Sequence, residues 1–313
     1  MKILITGALG QIGSELSSAL KKIYGNDAVI TSDLHNSNIK DEFQPYETLD
    51  ILNKNSLANV IKKHNIDIIY HLAAILSANG ENNPQLCFDV NITGLYNVLE
   101  VARELKIKQI ICPSSIAVFG PETPRDNTPQ QTIILPKTMY GITKASGELI
   151  CDYYVKKYQM DIRGLRYPGL ISYKTPPGGG TTDYAVEIFY EAIRHKNYKC
   201  FLEENTILPM MYMKDAIRGT IQLAQSDFQK LKNFSNFNFA GISFSCQNLA
   251  NEIKKHIPDF NISYSPDFRQ QIANSWPKSI DDSEAQNQWG WKAEYNLTKM
   301  TEDMIKNLRA KLK

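Results

Sequence analysis

Short runs of apolar residues alternate along the chain with longer stretches in which apolar positions recur at helical spacing. Residues 2–6 (KILIT) read as a strand, 11–24 as a helix and 28–32 as a second strand, and 56–64 follow as a helix capped by Asn55 or Ser56. Residues 67–72 read as a third strand, 85–105 as a long helix, 108–112 as a fourth strand, 138–158 as another long helix and 161–167 as a further strand. Strand–helix–strand units of this spacing imply right-handed crossovers and a parallel sheet with helices on both faces. The predicted fold class is α/β: a Rossmann-type doubly wound parallel sheet with a smaller C-terminal α/β substrate lobe. In such sheets ligands sit outside the C-terminal strand ends, where strand order reverses.

The pattern changes after Pro168. Residues 173–182 (YKTPPGGGTT) are too rich in proline and glycine to be anything but a loop, and a lid role is expected for it. Residues 182–194 then read as a helix, 236–240 and 261–264 as short strands, and 247–256 and 297–312 as helices. The expected organisation is an NAD-binding domain over 1–167, rejoined by about 207–240, and a mainly substrate-binding lobe over 168–313.

Composition adds few constraints. The chain has 313 residues, with 35 basic against 33 acidic side chains, and so no electrostatic reason to bind nucleic acid or an anionic membrane. No stretch approaches the roughly 20 apolar residues of a membrane span, and MKILITG enters a strand too soon for a signal peptide. Cys87, Cys112, Cys151, Cys200 and Cys246 are scattered and odd in number, which suits a reducing, cytoplasmic compartment. The histidines (His35, His64, His71, His195 and His256) show no ligand spacing, so no metal is expected.

Gly7, Gly10 and Gly13 fall in the turn from the first strand into the first helix. Gly7 permits the tight turn, Gly10 admits a pyrophosphate close to the backbone, and Gly13 lets the helix lie near the sheet. The helix N-terminus, with Gln11 and Ile12, offers free N–H groups to the phosphates. Asp33 ends the second strand, where an acid accepts bonds from the adenosine ribose and repels a 2′-phosphate. The residues after it are Leu34, His35 and Asn36, with no arginine, so NAD is expected over NADP. Asp50 and Ile51 are weaker candidates for flanking the adenine, and an N-capping role for Asp50 competes. Leu72, Ala73 and Ala74 close the third strand with residues small enough for a cofactor to lie against backbone.

Tyr140 and Lys144 stand four apart on the helix over 138–158 and share one face. A phenol of ordinary pKa near 10 is a poor base at neutral pH, and a neighbouring ammonium favours its phenolate. Ser114 and Ser115 follow the fourth strand at the ligand edge, and a serine there can hold a reacting oxygen toward the phenol.

Together these residues resemble the extended branch of the short-chain dehydrogenase/reductase superfamily. The matching segments are TGALGQIG at 6–13, DVNITGLYNVLEVA at 89–102, SSIAVFG at 114–120 and YGITKASGE at 140–148. Within it the chain resembles the short-chain type of L-threonine 3-dehydrogenases, through LRYPGLIS at 165–172, PPGGGTTDYAVEIFY at 176–190, LPMMYMKDAI at 208–217 and SWPKSIDDSEAQNQWGW at 275–291. The resemblance implies that Tyr140 is the base, Lys144 its electrostatic helper and ribose contact, and Ser115 the third member. Threonine often stands at that last position in this type, and the hydroxyl is kept. It further implies Asn91 in support of a proton relay and Tyr167, Pro168 and Gly169 on the nicotinamide side. Ser77, Thr181, Thr182 and Asp183 are implied around the amino acid, with Asp183 facing its ammonium, and Trp276 as a pocket-closing or core residue. The implied reaction oxidises the 3-hydroxyl of L-threonine to 2-amino-3-oxobutanoate in threonine catabolism.

The long helices over 85–105 and 138–158 are the superfamily's usual dimer face, so a homodimer through a four-helix bundle is expected. Two rival readings remain. A nucleotide-sugar epimerase or dehydratase shares fold, cofactor and triad but needs a larger pocket with basic groups. A non-catalytic NAD-binding scaffold would be expected to have lost Tyr140 or Lys144, and both are present.

Overall fold

The computed structural model describes residues 1–35, 39–178 and 180–312, so Asn36 and Gly179 of the segments discussed above lie outside the described residues. The first half alternates strand and helix: β1 (Ile3–Thr6), α1 (Gln11–Tyr24), β2 (Val29–Asp33), β3 (Tyr46–Thr48), α2 (Lys54–His64) and β4 (Ile68–His71). Then come α3 (Ser77–Asn82), α4 (Pro84–Phe88), α5 (Leu95–Glu104), β5 (Gln109–Ile111), β6 (Ser114–Ser115), α6 (Met139–Tyr158), β7 (Ile162–Arg163), β8 (Leu165–Tyr167) and β9 (Gly169–Ile171). The second half contains α7 (Tyr184–His195), β10 (Asn197–Cys200), β11 (Ile207–Tyr212), α8 (Met213–Gln225), β12 (Phe237–Asn238) and β13 (Ile242–Ser245). It ends with α9 (Cys246–Lys254), β14 (Asn261–Tyr264), α10 (Arg269–Asn274), α11 (Ser283–Trp289) and α12 (Leu297–Lys311).

The main sheet is parallel, in the order β3-β2-β1-β4-β5-β7. Side chains alternate across it with the period of two that a strand imposes. Ile3 and Ile5 face a core shared with Leu16 and Leu20 of α1 and Met213 and Ile217 of α8, whereas Leu4 faces one shared with Leu57, Val98, Leu99 and Val155 on α2, α5 and α6. The sheet is therefore buried on both faces, as its continuous apolar strands require.

Four local expectations change. The segment over 161–167 is two short strands rather than one, broken at Gly164: β7 pairs with β5, while β8 pairs with β6 and β12. A Cβ at Gly164 would lie 2.4 Å from the Cys112 carbonyl oxygen and 2.5 Å from that of Ser235, so the backbone crowds here and the ladder steps across it. The helix α2 begins at Lys54, and its cap is Asn53, whose side chain accepts from the Ser56 N–H at 3.0 Å, not Asn55 or Ser56. The long helix after Pro84 is interrupted by a π-type segment over Asp89–Gly94. Asp50 caps no helix: its Oδ1 accepts the Leu52 N–H at 2.9 Å.

Beyond Pro168 the chain builds a second layer of structure, with a sheet in the order β13-β11-β9 and a parallel pair β10-β14. Helices α7, α9 and α12 cover it, around Tyr184, Phe189, Leu249, Met300 and Met304. The return of α8 onto α1 and of β12 onto β8 ties this region back to the first. No helix of the described residues is long and apolar enough to cross a membrane.

Candidate active site

A cleft of about 230 Å3 opens above the C-terminal ends of β1, β4 and β6 and is roofed by the segment before α7. One wall is the glycine turn. Gly7 has φ +70°, which favours glycine, and a Cβ on it would meet the Ala73 nitrogen at 2.6 Å. A Cβ on Gly13 would meet the Gly7 carbonyl at 2.3 Å, so α1 lies hard against the turn. Gly10 is the N-cap of α1 and has no side chain to satisfy the first-turn N–H groups, and no acidic residue follows in that turn. The result is a bare helix N-terminus facing the cleft, which suits a diphosphate. At the edge of this wall, Asp33 Oδ2 accepts the Leu9 N–H at 3.1 Å and Oδ1 the Leu34 N–H at 2.8 Å. Those two bonds hold its carboxylate at the end of β2, beside the turn.

The opposite wall is α6. Thr138 caps it by accepting the Gly141 N–H at 3.1 Å, and Glu81 of α3 accepts the Met139 N–H at 2.7 Å. Tyr140 and Lys144 project from the first two turns into the cleft. The Lys144 ammonium lies 5.8 Å from the centre of the Tyr140 ring and donates to the Pro113 carbonyl at 3.0 Å. Ser115 faces them from β6. Its Oγ accepts the Ala117 N–H at 3.2 Å, which fixes the oxygen and leaves the hydroxyl hydrogen for an oxygen in the cleft.

The far end holds Ser77, Thr181, Thr182, Asp183 and Trp276. Asp183 Oδ2 accepts the N–H groups of Gly178 at 2.7 Å and Gly180 at 2.8 Å, so this carboxylate shapes the glycine-rich segment. Thr181 is 1% exposed, and its hydroxyl has no hydrogen-bond partner among the described residues. A buried unpaired hydroxyl is costly unless something meets it. Trp276 is 5% exposed: it lines the cleft and also packs into the core of the C-terminal region. Lys144 is the one cationic side chain among the described residues lining the cleft.

Residues 3–238 match the profile of the NAD dependent epimerase/dehydratase family. The chain belongs to this family. Its cofactor is NAD, and the glycine cradle, the uncapped α1 and Asp33 fit that dinucleotide. An uncharacterized epimerase/dehydratase of the family from Staphylococcus haemolyticus is 44% identical over 99% of this chain and 98% of its own length. A GalE-like L-threonine dehydrogenase from Cupriavidus necator, solved in its holo form, is 50% identical with a TM-score of 0.97, covering 98% of this chain and 100% of that one. A monomeric L-threonine 3-dehydrogenase of metagenomic origin, solved in its apo form, is also 50% identical, with a TM-score of 0.96 over 99% of this chain and 100% of that one.

Within this NAD-dependent epimerase/dehydratase, the cleft brings together Gly7, Gly10, Gln11, Ile12, Gly13, Leu72, Ala74, Ser114, Tyr167 and Pro168 from the residues the sequence assigns to the cofactor. Others stand back from it. Ala73 is the backbone against which Gly7 packs, and the side chain of Ile51 is core, set where a Cβ on Gly94 would fall. Asn91, in the π-type segment, is buried behind the cleft. It accepts the Ile75 N–H at 2.8 Å and donates to the Ile75 carbonyl and the Thr143 hydroxyl, both at 3.0 Å. With His71, Ser114, Lys144 and Glu148 it lines a second cavity of about 20 Å3, which is water-sized.

The sequence reading misses His71, Leu76 and Ile116, which also line the cleft. His71 was findable, since it ends the strand directly before the Leu72–Ala74 run. It is 5% exposed, and its imidazole is pushed down to about 3 by burial and then by the Lys144 charge, so it stays neutral. The reading also misses Glu148, which helical spacing flags: it lies four residues past Lys144 and eight past Tyr140, on their face of α6.

Proposed function

We propose that the chain is an L-threonine 3-dehydrogenase that oxidises the 3-hydroxyl of L-threonine to 2-amino-3-oxobutanoate, in threonine catabolism. The observation that carries this reading is the meeting in one cleft of the NAD cradle, the Tyr140–Lys144–Ser115 group and the Ser77 and Thr181–Asp183 end. The whole-length similarity to solved L-threonine dehydrogenases supports the choice of substrate.

In this reading Ser115 donates to the substrate hydroxyl oxygen and orients it toward the Tyr140 phenol. Tyr140 takes the hydroxyl proton, and the Lys144 ammonium stabilises the phenolate that does so. NAD, when bound, supplies the acceptor for the hydride that leaves carbon 3. Asp183 offers its Oδ1 to the substrate ammonium, and the Thr181 hydroxyl finds its missing partner on the amino acid. Trp276 closes the pocket over it. The five cysteines are all free, which suits the cytoplasm as the proposed compartment. A homodimer is proposed through the outer faces of α4, α5 and α6, where Phe88, Tyr96, Ile142, Leu149 and Tyr153 are exposed.

The competing assignment, to a nucleotide sugar, draws on the family's name. The cleft disfavours it, because beyond the NAD cradle its far end, at Ser77, Thr181–Asp183 and Trp276, offers no cationic side chain among the described residues to a second diphosphate. NADH formation from L-threonine, L-allo-threonine and serine, set beside chromatographic analysis of UDP-sugars incubated with the protein, decides between them, since an epimerase or dehydratase returns its hydride to the sugar and releases no NADH. Turnover of L-threonine is expected, and Tyr140→Phe lowers it at least roughly a hundredfold while NAD still binds. Turnover confined to UDP-sugars overturns the assignment.

A further inference from the structure

The elements that carry the reacting groups converge on one buried carboxylate that none of the steps above uses. Glu148 is 5% exposed and receives the Ser114 hydroxyl at 2.6 Å. It also takes a two-pronged contact from Arg166, Nε to Oε1 at 2.9 Å and the Nη2 amino group to Oε2 at 2.8 Å. Arg166 is 1% exposed and fixed in turn by the Gln130 carbonyl and the Asn238 side chain, both at 3.1 Å. Ser114 precedes Ser115 on β6, Arg166 precedes Tyr167 on β8, and Glu148 shares α6 with Tyr140 and Lys144.

Two bonds close a small loop at this point. Lys144 donates to the Pro113 carbonyl, and the next residue, Ser114, donates back to Glu148 one helical turn further along α6. The Pro113–Ser114 step is thereby clamped to the helix at both ends. Rotation of that peptide would move the acceptor of Lys144 and the Ser115 hydroxyl together. A two-pronged, desolvated ion pair is a stiff anchor for such a clamp.

We propose that Glu148 is a positioning residue for hydride transfer, acting through Ser114 to hold Lys144 and Ser115 in register with Tyr140. The proposal rests on the reading of the cleft as a dehydrogenase site. Removing the anchor is expected to slow the chemical step and to leave binding nearly intact, because Glu148 stands behind the cleft and does not line it.

The test uses the purified full-length protein as S114A, S114T, E148Q and the S114A/E148Q double variant. Turnover is read on whichever of L-threonine, L-allo-threonine, serine or a UDP-sugar the wild type oxidises, and NAD affinity by fluorescence titration. S114A, which leaves the Glu148–Arg166 pair in place, is expected to lower kcat roughly tenfold or more. KM stays within about twofold in S114A and E148Q, the NAD Kd does so in E148Q, whose side chain lies outside the cleft, and S114T recovers most of the loss. The double variant falls no further than E148Q alone, since both cut one connection. A wild-type kcat in S114A overturns the proposal, as does a loss in E148Q spread evenly over kcat, KM and Kd. If E148Q does not fold, S114A and S114T decide alone. A crystal structure of S114A is expected to show Lys144 displaced from the Pro113 carbonyl, and an unmoved Lys144 also overturns it. Turnover of a UDP-sugar alone refutes the threonine assignment and leaves this test intact.

Discussion

The His71 Nδ1 atom lies 2.8 Å from the Thr6 hydroxyl, across a register pair at the C-terminal ends of β1 and β4. Both side chains are buried, and the imidazole is held neutral down to about pH 3. In the unfolded chain the same group takes up a proton below its ordinary value of about 6.5. The unfolded state therefore binds more protons than the folded one between these values, and stability falls as pH drops through that window. His71→Gln keeps a partner for Thr6 and removes the titration. Compared with this variant, the wild type is expected to lose about 2 kcal/mol more between pH 7 and pH 5, measured by urea unfolding. Parallel losses in the two proteins refute the assignment.

Gly80 lets α3 lie on the catalytic helix. A Cβ there would stand 2.9 Å from the Cys87 sulfur and 3.7 Å from Cβ of Tyr140. Gly80→Ala is expected to cost about 1–3 kcal/mol and to raise the KM for the amino acid, since Ser77 is on the same short helix. NAD affinity stays unchanged, and the added substitution Cys87→Ala, which clears the space, recovers most of the loss. An unaltered KM in Gly80→Ala would show that α3 does not carry the substrate contact.

Glu15, on α1, holds the start of the glycine-rich segment: it accepts the Ser172 hydroxyl, and Lys174 lies 3.7 Å away. Burial raises its carboxyl above the usual range, against the opposing pull of Ser172 and Lys174. The folded state thus binds that proton more tightly than the unfolded chain does. The contribution to stability is full below the unfolded value of about 4.3 and is lost as pH rises through the raised folded one. Glu15→Gln is expected to raise the thermal midpoint at pH 7 relative to wild type, with a smaller or absent gain at pH 4. An equal gain at both pH values counts against this account.

Leu149 is 73% exposed on the outer face of α6. If a second copy covers that face, Leu149→Glu buries an unpaired charge at the interface and converts the dimer to monomer, read as molar mass by light scattering. A wild type that is already monomeric, as the metagenomic relative is named, removes the dimer from the proposal without touching the active site.

Most secondary-structure elements were readable because their signals are local. Helix α1 over Gln11–Tyr24 and strand β14 over Asn261–Tyr264 fall where apolar spacing puts them. The break of the strand at Gly164 was not readable, because it arises from carbonyls of Cys112 and Ser235, far away in sequence. The N-cap of α2 went astray for a smaller reason: Asn53, Asn55 and Ser56 are all good caps, and only the backbone geometry chooses among them.

The sequence by itself determined the main alternation of strand and helix, the glycine turn and the four-residue step from Tyr140 to Lys144, since each is set by neighbours within a turn or two of chain, while short elements such as β3, β13 and α11 escaped it. Tertiary structure alone decided that the Ser114 hydroxyl turns back to Glu148, that Asn91 serves the Ile75 backbone and Thr143, and that Asp183 gathers the N–H groups of Gly178 and Gly180. A side chain with several possible partners takes the one that packing brings within about 3 Å of it, and that choice depends on where distant segments meet.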